Sequence, residues 1–135
     1  MSQSPKPEIG AINWTDLTVD NAEGIKDFYS KVVGWNFAPV SMGDYNDFTM
    51  NTPESGKSAA GICHARGVNA DLPPQWLIYI TVANVEKSAE QCLALGGKII
   101  IAPKEMGSYG KFCVIQDPAG AVAALFESGE PIPSL

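Results

Sequence analysis

Short runs rich in β-branched and aromatic residues alternate along this chain with two stretches whose apolar positions follow a helical period. Asn13 to Val19 and Leu77 to Val82 read as strands, and each is followed by an asparagine placed to cap a helix, Asn21 and Asn84. Beyond the caps the period changes. Ile25, Phe28, Tyr29 and Val32 recur at i, i+3, i+4 and i+7, and Val85, Ala89 and Cys92 keep the same spacing. Helices are therefore predicted over 21–33 and 84–95, each with one apolar face, with Gly34 and Gly96-Gly97 as their stops. Three more strands close each half: 35–40, 47–52 and 58–64, then 98–103, 111–116 and 121–127. Turn-forming runs such as Pro53-Glu54-Ser55-Gly56 and Asp117-Pro118-Ala119-Gly120 separate them.

The two halves repeat one another. Thr18/Thr81, Val19/Val82, Asn21/Asn84, Glu23/Glu86 and Gly34/Gly97 match at one offset (81 − 18 = 63). One residue later in register (102 − 38 = 64), Ala38-Pro39 repeats as Ala102-Pro103, Met42-Gly43 as Met106-Gly107, and Tyr45 as Tyr109. Phe48/Phe112, Gly56/Gly120, Ala59/Ala123 and Ala60/Ala124 continue that second register. A fixed internal period marks repeated structural units. The chain is read as a single α+β domain, residues 1–135, of two βαβββ units at 11–66 and 75–127. A polar, Pro-rich linker spans 67–74, and the first ten and last eight residues read as tails or docking arms.

Composition narrows the function classes. A chain of 135 residues with 45% hydrophobic and 18% charged residues is an ordinary globular sequence. Its longest apolar run, Ile99-Ile100-Ile101-Ala102, is far too short to span a bilayer, and the opening Met1 to Pro7 has no apolar h-region, so no membrane association or secretion is expected. The net charge is −6 and the basic residues are scattered, which argues against nucleic acid as a partner. Cys63, Cys92 and Cys113 are odd in number and form no C-x-x-C, so a reducing cytoplasm is the expected compartment.

Tandem βαβββ units, the Phe28-Tyr29 pair followed by Val33-Gly34-Trp35, and Asp117-Pro118-Ala119-Gly120 before the last strand resemble the vicinal oxygen chelate superfamily of glyoxalase, bleomycin-resistance and extradiol dioxygenase proteins, over residues 11–127. The resemblance implies a curved mixed sheet around a cleft that takes a small organic ligand. It does not choose among lyases, isomerases, epimerases, dioxygenases and proteins that merely sequester a drug. Metal-dependent members place His, Gln or Glu at four positions, which fall here on Trp14, Ala60, Leu77 and Ala124. None of these is a ligand for a divalent ion, and a one-residue slip offers no better set. No metal and no other cofactor is expected.

Period-two alternation sets Trp14, Asp16 and Thr18 on one strand face and Leu77, Tyr79 and Thr81 on the matching face of its repeat. The cleft that the resemblance implies would be lined by Trp14, Asp16, Leu77 and Tyr79. Tyr109, Phe112 and Ala124 complete the candidate ligand contacts. Asp16 and Tyr79 are the candidate catalytic residues: the carboxylate serves as general base or polar anchor, or else is solvated at the rim or bonded to Tyr79. His64, the only histidine, lies four residues beyond Ala60, about 13 Å at strand rise, and reads as a strand-end surface residue. Glu105 and Lys111 flank a Gly107-to-Gly110 loop that is either a lid or a plain hairpin turn. Two rivals to a metal-independent ligand binder stand: a metalloenzyme with displaced ligands Asp16, His64 and Glu105, and a non-catalytic interaction module.

Two expectations follow at this level. Added zinc, nickel or iron should leave the melting temperature unchanged, whereas a ligand specific to the folded state at a hundred times its dissociation constant adds about 2.7 kcal/mol. Short curved sheets also leave strand edges that pairing covers, so a homodimer is expected; a sedimentation mass of one chain at micromolar concentration would count against it.

Overall fold

A computed structural model describes residues 8–129. The element order is β1 (Ile12–Val19), α1 (Ala22–Val33), β2 (Asn36–Ser41), β3 (Asn46–Asn51), β4 (Ser58–His64), β5 (Trp76–Thr81), α2 (Val85–Ala94), β6 (Lys98–Glu105), β7 (Gly110–Gln116) and β8 (Val122–Ser128). This is the α+β, twice-repeated βαβββ arrangement. Single 3-10 turns at Gly67–Asn69 and Gly107–Tyr109 were not anticipated from the sequence. No described helix is long and apolar enough to cross a membrane.

Two compact units divide the described residues: 14–77, and 78–129 together with 8–13. In the first, the sheet order is β2-β3-β4-β1, with β1 parallel to β4 and the other neighbours antiparallel. In the second, β5 lies parallel to β8, followed by antiparallel β7 and β6. Part of the expected N-terminal arm is docked, since Gly10 N donates to Thr81 O at 2.8 Å and Thr81 N to Ala11 O at 2.9 Å. Residues 1–7 and 130–135 of the two tails lie outside the described residues.

Local chemistry explains the helix limits. The Asn21 side chain accepts from Gly24 N at 3.0 Å and the Asn84 side chain from Lys87 N at 2.9 Å, satisfying first-turn donors. Gly34, at φ 91°, closes α1 in the left-handed region, where a side chain is strained.

Each helix covers one face of its own sheet. In the first unit Leu17, Ala22, Phe48, Met50 and Ile62 form the core, joined by Val19, Ile25, Tyr29, Trp35 and Trp76. The aromatic members interlock: Trp76 Nε1 donates to the Tyr29 hydroxyl at 3.2 Å, and the Trp35 and Trp76 rings meet edge-on at 6.0 Å. In the second unit Val85, Ala89, Cys113 and Leu125 are flanked by Ile80, Val82, Ile99 and Ile115. The α1 face differs from its expected form. Ala22, Ile25 and Tyr29 meet the core, but Phe28 and Val32 are 53% and 65% exposed, because the stripe that reaches the sheet is narrower than the sequence pattern.

Strand registers also correct the repeat. Asp16 faces Gly61 across β1–β4, and Tyr79 faces Ala124 across β5–β8, so the counterpart of Ala124 is Gly61, not Ala60. Phe48 sits opposite Ile62, whereas Cys113 sits opposite Leu125, so the counterpart of Phe48 is the core residue Cys113, not Phe112. The identities at offset 64 thus stand one residue away from structural equivalence, which places Ala60 and Ala124 on opposite faces of their sheets.

Candidate functional site

The sheet face turned away from α1 carries the polar residues of the first unit. Cross-strand pairing sets Asp16-Gly61-Thr49 in one row and Thr18 beside Cys63 in the next, where the Asp47 side chain meets the Cys63 thiol, while Leu17, Phe48 and Ile62 alternate onto the helix side. Trp14 joins this face from two residues upstream of Asp16. Its Nε1–H donates to Asp16 Oδ1 at 2.6 Å, a short bond to a carboxylate in a half-buried setting. A Cβ placed on Gly61 would collide with Asp16 Oδ1 and lie 3.6 Å from Trp14 Cζ2, so the carboxylate occupies space that a β4 side chain would otherwise fill.

In the next row, Asp47 Oδ1 accepts His64 N at 2.9 Å, and the Asp47 side chain is hydrogen-bonded to the Cys63 thiol. Burial, and then the negative charges of Asp16 and Asp47, drive the Cys63 thiol far above its ordinary range. Cys63 is therefore a neutral polar group. The His64 ring packs at 5.3 Å against Tyr45 and at 6.5 Å against the core residue Phe48, on the helix side of the sheet, and is half-buried rather than a surface residue. Arg66 stacks its guanidinium 4.1 Å over the outer Tyr45 ring.

The corresponding face of the second unit is apolar. Its rows are Tyr79-Ala124-Val114 and Thr81-Phe126-Phe112. Ala124 and Val114 are fully buried, Phe112 is buried and Tyr79 half-buried. Tyr79, Phe112 and Ala124 thus share one face. Leu77 is also buried, in the first unit, and its carbonyl accepts from Thr15 Oγ1 at 3.1 Å. Tyr109 stands apart: it is 77% exposed on the Gly107–Tyr109 turn, beyond Gly110 and so more than four strand residues, roughly 13 Å, from the Val114 row. That turn borders a shallow hollow of about 340 Å³ lined in part by Glu105, Lys111 and Glu127. Two of those groups are already engaged, Lys111 with Glu86 at 3.2 Å and Glu127 with Val85 N at 2.9 Å at the start of α2.

Metal donors are absent from the positions where the family pattern requires them, which are Trp14, Gly61, Leu77 and Ala124 once the register is corrected. Among the described residues no three His, Cys, Asp or Glu side chains are grouped so as to hold a metal ion. Asp16 and His64 belong to opposite faces of one sheet, so the displaced-ligand set is not assembled by these two. The residues present do not fit a divalent ion. Asp16 and Trp14 were legible as site candidates from alternation; Gly61, Cys63 and Asp47 were not singled out, although their strand parity carried the signal.

Residues 11–125 match the family model of the Glyoxalase/Bleomycin resistance protein/Dioxygenase superfamily. A Mycobacterium tuberculosis protein named "Putative glyoxylase CFP32" is 29% identical over 128 residues, which cover 91% of this chain and 48% of that protein. The anthracycline biosynthesis protein DnrV of Streptomyces peucetius is 27% identical over 135 residues, with 89% and 48% covered. The chain spans about half the length of these curated relatives. Among solved structures, methylmalonyl-CoA epimerase from Mycobacterium tuberculosis aligns with a TM-score of 0.58 at 10% identity, covering 96% of this chain and 94% of that one. The 2,3-dioxygenase LapB from Pseudomonas sp. KL28 aligns at 0.54 and 14% identity, over 90% and 44%. At such identities the likeness is one of fold.

The thiols give a direct check on this environment. Iodoacetamide at pH 8 should label half-exposed Cys92 first, with Cys63 and Cys113 labelled only on unfolding, as read by peptide mass spectrometry. Burial pushes the Cys113 thiol up from 9.0 to about 11. The folded protein keeps a proton that the unfolded chain loses above pH 9, so this contribution to stability is whole below pH 9 and declines as pH rises through 11. Rapid labelling of Cys63 in the native protein would contradict the placement.

Proposed function

Because the chain belongs to the glyoxalase/bleomycin resistance protein/dioxygenase superfamily, we propose that it binds a small, partly aromatic organic ligand without a metal, using the sheet face that carries Trp14 and Asp16. The observation that carries this reading is the 2.6 Å bond from the Trp14 indole to Asp16. A flat apolar wall and a fixed carboxylate side by side are the usual furniture of a small-molecule site. The carboxylate offers an oriented acceptor to a ligand hydroxyl or ammonium group. Should the bound molecule also be turned over, Asp16 is the proposed base and Tyr79 the proposed second catalytic group. Leu77, Tyr109, Phe112 and Ala124 remain proposed ligand contacts, with Tyr109 the most peripheral.

The relative named for anthracycline biosynthesis supports an aromatic ligand and supplies a practical probe. Homodimer formation belongs to the same proposal, supported by β2 as the outer strand of its sheet and by exposed Phe28 and Val32, one turn apart on α1. A cytoplasmic location is supported by the three free cysteines.

Titration with daunorubicin, a planar anthraquinone that carries an amino sugar, followed through the probe's own fluorescence, tests the reading. Saturable binding is expected, and Asp16→Asn should weaken it roughly ten- to a hundredfold, the worth of about 1.5–3 kcal/mol for a hydrogen bond to a charged group. Equal affinity for the wild type and the variant would remove Asp16 from the site.

A further inference from the structure

We infer that Gly61 is a positioning and specificity-determining residue of this site, because only a residue without a side chain lets the Asp16 carboxylate lie across the β1–β4 rung where Trp14 holds it. This rests on the ligand-binding reading above and adds what selects the ligand. The conformational explanation for a glycine fails here: Gly61 is not among the glycines with positive φ, so its backbone is one that any residue can adopt. Space is the reason. A Cβ there would overlap Asp16 Oδ1 and come within 3.3 Å of Asp16 Cγ, and the strand register leaves no freedom to slide, since Leu17 and Ile62 of the next rung are buried in the core. The counterpart rung in the second unit pairs Ala124 with Tyr79, so a methyl group is accepted where no carboxylate competes for the space.

The consequence is chemical. Where the family's metal-dependent pattern sets a donor side chain on β4, this chain has no side chain, and a carboxylate from the neighbouring strand fills the gap. The acceptor is anchored at one oxygen by an indole N–H, so the site selects ligands that present a hydroxyl or ammonium donor next to an aromatic surface. Ligands that present an acceptor or an anion to the same point are rejected by the carboxylate's charge.

Tryptophan indole signals in a ¹H–¹⁵N spectrum separate this device from simple packing. Gly61→Ala should move the Trp14 indole resonance in the same sense as Asp16→Asn does, while Trp35 and Trp76, in the aromatic core, stay in place. Daunorubicin affinity of Gly61→Ala should fall about tenfold or more, to the level of Asp16→Asn, with no further loss in the double variant, as for two residues acting through one contact. If Gly61→Ala does not fold, Asp16→Ala combined with Gly61→Ala removes the collision and is expected to restore the fold. A Trp14 signal unmoved in Gly61→Ala, additive losses in the double variant, or a double alanine variant that stays unfolded would each overturn the inference. If daunorubicin binds none of these proteins, the ligand reading and the selectivity drawn from it fall, while the Trp14 resonance still decides what holds Asp16.

Discussion

Parallel strands cannot be joined by a tight turn, and in both units the first strand is parallel to the last. The chain that leaves β1 must therefore travel away and return before β4 can be laid beside it, and it does so through one helix and one hairpin. The helix crosses on a single face. Everything on that face becomes core, and everything on the other is released from packing against it. The division of labour in the first unit, with Leu17, Phe48 and Ile62 on one side and Asp16, Gly61 and Cys63 on the other, follows from this connection and from the period of two along each strand.

Within that common frame the two units have diverged in chemistry. The first builds its core with interlocked rings, Tyr29, Trp35 and Trp76, and keeps its opposite face polar. The second packs α2 with smaller side chains, Val85, Ala89, Cys113 and Leu125, and its opposite face is apolar. Lys26 shows how the aromatic core tolerates a charge: its ammonium sits 4.1 Å over the Phe37 ring and 4.9 Å over Phe48.

How much of this was legible follows from which physical signals are local. Helix limits were readable to within a residue, because Asn21, Asn84 and Gly34 act on their own neighbours. Strands were readable because their composition is local too. The face of α1 was not fully readable, since Phe28 and Val32 match the apolar period but only tertiary packing decides that they stay exposed. The site was half readable: alternation selects Trp14 and Asp16, but the partner of Asp16 across the rung depends on pairing register, a long-range property. Identity matching chose Ala60 for that place, and the backbone chose Gly61.

The register has a consequence for how such a repeat can diverge. Phe48 and Ile62 stand fourteen positions apart and Cys113 and Leu125 twelve. One of the two extra residues lies in the turn, where Asn51 and Ser58 are seven apart against six for Gln116 and Val122, and the other in the register shift beside Met50 and Asn51. A residue added in the turn leaves every inward side chain inward, whereas one added within the ladder must be absorbed by a bulge, as in β3–β4 beside Met50 and in β6–β7 near Ile99 and Ile101. Insertions in a duplicated strand pair are thus confined to turns and bulges before they are filtered by chemistry, and the first half lengthened its hairpin at those two places without losing the face on which Asp16 stands.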